Sequence, residues 1–124
     1  MKKKFYKVTT EIKGIQHSCL FEGGIFGVQY STEKWAKAPE WLAKKGYHLF
    51  VFDSLENAKK YIPEVSGMRQ KIWECEIKKR FKKLPPYLDL VEAARGRMIP
   101  AEDITFPEGT VMVREVKLIR KVWG

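Results

Sequence analysis

Fifteen residues, His48 to Ile62 (HLFVFDSLENAKKYI), constrain the fold of this chain more than any other stretch. Leu49 to Phe52 form an unbroken apolar run, which suits a strand covered on both faces. Asp53 and Ser54 then offer side-chain oxygens to the free N–H groups of a helix start. Glu56 stands three residues after Asp53, the spacing of a capping box with Asp in the first position. Leu55, Ala58, Tyr61 and Ile62 recur at helical spacing, with Lys59 and Lys60 on the other face. Pro63 closes the unit. The stretch predicts a buried strand followed by a capped helix, and names no chemistry.

The flanking segments extend this reading. Phe5 to Thr10 predicts a first strand, Lys13-Gly14 a turn, Ser18 to Phe21 a short second strand and Ile25 to Tyr30 a third. Pro39-Glu40 is a good helix start and Gly46 a stop, so 39–46 predicts a short helix. In Lys71 to Phe81, Trp73, Cys75 and Ile77 share one face, while Glu74, Glu76 and Lys78 share the other. Strand 48–52, helix 55–62 and strand 71–81 therefore predict a β-α-β unit. Tyr87 to Arg95 reads as a helix ending at Gly96, and Thr110 to Trp123 as a long final strand with a bulge near Arg114. The expected fold is a single α+β domain over 1–124, with a mixed, mainly antiparallel twisted sheet and two or three short helices.

At 124 residues the chain can bury a core without a staple. Its hydrophobic fraction of 44% argues against disorder. Cys19 and Cys75 stand far apart and in no metal-binding spacing, which reads as reduced thiols in the cytoplasm. The lysine-rich start is followed by no apolar h-region, and no run is long enough to span a bilayer, so no membrane association is expected.

The net charge of +9 points toward polyanions, although basic charge also serves solubility. Three clusters carry it: Lys2, Lys3, Lys4 and Lys7; then Lys78, Lys79, Arg80, Lys82 and Lys83; then Arg114, Lys117, Arg120 and Lys121. Basic residues hold phosphates and aromatic faces stack on bases. Phe81, Tyr87 and Trp123 lie in or near these clusters. The expected nucleic-acid-binding residues are Lys78, Lys79, Arg80, Lys82, Lys83, Arg114, Lys117 and Arg120. The competing reading is a solvated outer face with the aromatics in the core.

Other chemistry is weaker. His17, Cys19, His48 and Cys75 are zinc-type ligands without zinc-type spacing, and no metal or cofactor is expected. Glu74 and Glu76 would act as acid and base only if buried at a cleft mouth. Glu115 beside Arg114 and Lys117 favours an ion pair.

FYKV near the start, Ser18, VQY, KWAKAP, LFVFDSLENAKKYI and IWECEI together resemble a family of small proteins of phages and other viruses. The resemblance covers about residues 5 to 80, its motifs are structural, and it implies the host cytoplasm as the setting. The layout is also distantly similar to the ADP-ribosyltransferase fold, with Ser31-Thr32 and Glu115 as loose matches. That likeness implies a dinucleotide cleft lined by Tyr6, Tyr30, Ser31 and a strand glutamate. The chain departs from it by carrying Lys7 on the first strand and no Glu-x-Glu or Gln-x-Glu pair on the last. The leading expectation is a basic binding protein for nucleic acid or an acidic protein. The alternatives are a degenerate dinucleotide-binding protein and a structural or homodimeric module with Trp35, Trp41 and Trp123 as anchors.

Overall fold

A computed structural model describes residues 3–18, 28–62, 70–85 and 106–124. The predicted helix at 87–95, the loop at 64–69, Cys19, most of the predicted second strand and half of the predicted third lie outside the described residues. The elements are β1 (Phe5–Ile12), β2 (Ile15–Ser18), β3 (Gln29–Tyr30), β4 (Trp35–Lys37), α1 (Glu40–Ala43), β5 (Leu49–Phe52), α2 (Leu55–Tyr61), β6 (Gln70–Arg80) and β7 (Thr110–Trp123).

The expected α+β twisted sheet is corrected by the strand pairing. The described chain is mostly β, and four of its strands close into a barrel. β1 pairs β6, β6 pairs β7, β7 pairs β5, and β5 returns to β1, all antiparallel. The closing seam is a single residue pair, Tyr6 opposite Phe52. Closure removes sheet edges that an open sheet would leave unpaired. β5 and β6 both run antiparallel to β1, so they are parallel to each other with β1 between them. The β-α-β unit is thus real but split.

Two strands share an edge between partners. β1 pairs β5 at Tyr6 and β2 at Thr9 to Ile12. β7 pairs β5 over Thr110 to Val113 and β4 over Glu115 to Lys117. Arg114 falls at this hand-over, but the register with β6 runs unbroken from Val113 to Leu118, so the bulge expected near Arg114 is corrected. The register shifts lie further along, where Ile119 and Val122 of β7 are extra residues opposite β6. Such bulges bend a strand, as a barrel this narrow requires. The β1–β2 turn is a two-residue loop with Lys13 and Gly14 both at positive φ (51° and 80°), the type I′ geometry favoured in hairpins.

The main core joins Phe5, Leu49, Val51, Val113, Val116 and Leu118 with Leu42 from α1. All four β5 residues are buried, as the apolar run predicts. α2 lays Ala58 and Tyr61 on Val8, Phe52 and Ile72, a second cluster on the other side of β1. Each large side chain buried this way contributes about 1.5–3 kcal/mol. Ser54 is the N-cap and accepts from the Asn57 N–H at 3.1 Å. Asp53 instead accepts from the Asn57 amide at 3.0 Å, and Glu56 faces solvent opposite Lys60.

Lys7 departs from its expected place in the first basic cluster. Because β1 is covered on both faces, its ammonium is buried and donates to the Phe50 carbonyl at 2.7 Å, 5.2 Å from the Tyr30 ring centre. Beside it runs a satisfied polar chain. Trp73 Nε1 donates to Thr9 Oγ1 (3.1 Å), Thr9 Oγ1 to Gln16 Oε1 (2.6 Å), and Gln16 Nε2 to Glu11 Oε1 (3.0 Å). Such a network fixes the β1–β2–β6 register as well as filling space.

Candidate functional site

Of the eight predicted contact residues, Lys78, Lys117 and Arg120 share one surface, Lys79 and Arg114 line another, Lys82 and Lys83 are exposed beyond it, and Arg80 lies over the Phe5 ring, 6.0 Å from its centre. The first surface is the outer face of β4, β7 and β6. Cross-strand register aligns Lys37, Glu115 and Lys78 in one row and Trp35, Lys117 and Glu76 in another, on one face of the sheet. The Lys78 and Lys117 ammonium groups lie 4.3 and 5.0 Å from the Trp35 ring centre. Lys117 also pairs with Glu76 at 3.7 Å. Further along, Arg120 donates to Glu74 at 2.9 Å, and Lys4 reaches the same carboxylate at 3.4 Å. The Arg120 hydrogen bond and the Lys4 charge hold the Glu74 carboxyl below its ordinary range. An ionised, doubly paired Glu74 is unsuited to proton donation, and the glutamates of this face offset part of its basic charge.

The second surface is different. β6 pairs with β1 only as far as Cys75, and then continues along β7 to Arg80. Here strict alternation fails. Lys79 should follow Cys75 and Ile77 inward, but its backbone is left-handed (φ 54°) and Lys78, Lys79 and Arg80 are all exposed. A non-glycine residue in that region carries about 1–2 kcal/mol of strain. Such strain is found at functional sites more often than elsewhere. Beyond it the Phe81 N–H bonds the Met112 carbonyl at 2.9 Å, which fixes the Phe81 ring beside His48. The two rings stack, with centres 4.5 Å apart and planes 19° apart.

A cleft of about 480 Å³ opens at this point, lined by Lys37, Glu40, His48, Lys79, Phe81 and Arg114 among others. Its position follows from the topology. Arg114 marks the hand-over from β5 to β4 along β7, His48 leads into β5, Lys37 ends β4, and α1 closes the side. Glu40 is the acidic residue of this lining and is engaged by Lys44 at 3.3 Å. Among the described residues, none of Lys79, Lys82, Lys83 and Arg114 has a carboxylate partner within ion-pair distance. Burial, with the Arg114 and Lys79 charges, holds the His48 imidazole below its ordinary value. At neutral pH it is therefore an uncharged aromatic surface.

Sequence reasoning identifies Lys79 and Arg114 and notes Phe81 among the basic residues, but misses Lys37 and His48 as their companions. The interleaving of Phe81 within the basic run is the one signal in the sequence that points to them. A second cavity of about 370 Å³, lined by Lys3, Lys4, Glu74 and Glu76 with Phe5 and Ile119, is balanced in sign. Cys75 borders it, but burial pushes its thiol up to about 12, so it is no nucleophile. Among the described residues no group of three or more His, Cys, Asp or Glu could hold a metal ion. Tyr6 and Tyr30 lie on opposite faces of β1, in separate apolar clusters, rather than along one cleft. Among the described residues, no helix is long and apolar enough to cross a membrane. No family model matches the chain, and no curated protein or solved structure matches it.

Proposed function

We propose that this protein binds nucleic acid through the basic end of its barrel, without catalysing a reaction on it. One observation carries the reading: Lys79, Arg114 and Lys37 surround a cleft whose wall is the His48–Phe81 stack. Cations beside an aromatic surface suit a ligand that offers phosphates and rings together. Exposed Lys82 and Lys83 continue the positive rim, and the net charge of +9 steers such a ligand inward. Lys117 and Arg120 contribute less, because their glutamate partners compete with phosphate.

The test is fluorescence anisotropy with labelled DNA and RNA across a salt series. Contact with about four phosphates gives a log–log slope of about −3, hence about 50-fold weaker binding at 200 mM than at 50 mM salt. The double variant Lys79→Gln, Arg114→Gln should weaken binding alike for every sequence and flatten the slope by about 1–2. An absence of binding at low salt, or a slope near zero, would refute the proposal.

A further inference from the structure

Resting on that reading, we infer that the cleft accepts one unpaired nucleotide of a single strand, its base stacked on the His48–Phe81 pair and its phosphate held by Arg114, Lys79 and Lys37. A base inside a duplex already has both faces covered by its neighbours, so it cannot stack on a protein ring without being extruded. The aromatic pair is therefore useful to a single strand and of no use to a double one. The cleft's volume of about 480 Å³ falls in the range of small-molecule sites, which suits one nucleotide rather than a groove for a helix.

The placement of the rings supports the same ligand. Phe81 is tied to Met112 through its backbone, and His48 is fixed by the start of β5, so little freedom is lost when a third ring stacks on them. Both rings are only partly buried. The Lys79 ammonium lies over the Phe81 ring, 5.3 Å from its centre, so a base entering the cleft meets a cation and the aromatic pair together. The left-handed backbone at Lys79 turns this cation out toward the cleft. Lys82 and Lys83 follow Phe81 directly and take the next phosphate along the strand.

Four ligands of matched phosphate number separate the readings: a short labelled single strand, a duplex of half its length, an abasic single strand, and polyphosphate. A nucleoside monophosphate serves as competitor. Stacking of one base predicts that the single strand binds about 5- to 100-fold tighter than the abasic strand, and tighter than the duplex. Phe81→Leu should remove that preference, bringing the single strand and the abasic strand to the same affinity. His48→Gln provides a second variant if Phe81→Leu fails to fold, as judged by thermal melting. Equal affinity for single, abasic and double strands would overturn the stacked-base inference and leave the basic cleft standing. Competition by the monophosphate as strong as by the strand would overturn the strand preference in favour of a free nucleotide. Failure of every polyanion to bind would remove both this inference and the reading beneath it.

Discussion

Gly109 provides a sharp test of how the barrel and its helix fit together. It stands in the turn that leads into β7, at φ +82°, and its carbonyl accepts the Asp53 N–H at 3.0 Å. A Cβ at this position would fall on Asn57 Nδ2 and come within 2.6 Å of Asp53 Oδ1. Gly109→Ala therefore meets two penalties. The left-handed backbone costs about 1–2 kcal/mol for any side chain. The clash also displaces the Asn57–Asp53 hydrogen bond, about 1 kcal/mol, and disturbs the helix cap beside it. Together these predict a loss of about 2–3 kcal/mol, the sum of the backbone and hydrogen-bond costs. Gly14→Ala is the control, because Gly14 has a similar φ of +80° and a Cβ added there would meet nothing within 4 Å. It should lose only the backbone share, about 1–2 kcal/mol. Urea denaturation of both variants with the same m-value measures the difference. Equal losses would refute the contact between this turn and the start of α2, and a neutral Gly109→Ala would refute the strain argument as well.

Further outcomes follow from the core and the titrating groups. Leu118→Ala, at a fully buried β7 position, should cost about 2–5 kcal/mol in denaturant unfolding, and a loss below about 1 kcal/mol would contradict its place in the core. On acidification, stability should begin to fall below the ordinary histidine value of 6.5, because the unfolded chain protonates there before folded His48 does. His48→Gln should flatten that part of the pH–stability curve, and an unaltered curve would refute the assignment. A second decline should follow below the ordinary Glu value of 4.5, as the lowered Glu74 carboxyl takes up its proton and the Arg120 pair is lost; Glu74→Gln should reduce it. In a Cys19→Ser background, the Cys75 thiol should resist a disulfide reagent at about pH 8 until denaturant is added, and rapid native labelling would contradict its burial.

The parts of the fold that are legible in the sequence are those with local causes. The β5 run, the Ser54 cap and the α2 spacing all lie within one short stretch, and the alternation of β6 is written in its own residues. Barrel closure depends on Tyr6 meeting Phe52, which no local pattern records. Burial of Lys7 depends on a carbonyl 43 residues away. β4 has three residues, and pairing with β7 rather than propensity makes it a strand. The basic clusters are equally plain in sequence. Their sorting into a paired face and a cleft rich in cations is not, because Glu74 and Glu76 neutralise one set only through cross-strand register.

Closure also explains why the candidate site lies where it does. A barrel this small fills its interior with side chains and leaves little room for a ligand inside. The nearest interior space, beside Lys7, Phe50 and Tyr61, is about 20 Å³, enough for a water and no more. A ligand must then be held where strands run past the ring. β6 does so beyond Cys75, and β7 does so where it exchanges β5 for β4 at Arg114. Both departures meet at the same cleft, and there the chain accepts a strained lysine and an arginine that no described carboxylate engages. The HLFVFDSLENAKKYI stretch serves this site indirectly: its β5 segment closes the ring, and its first residue, His48, is the one that reaches the cleft.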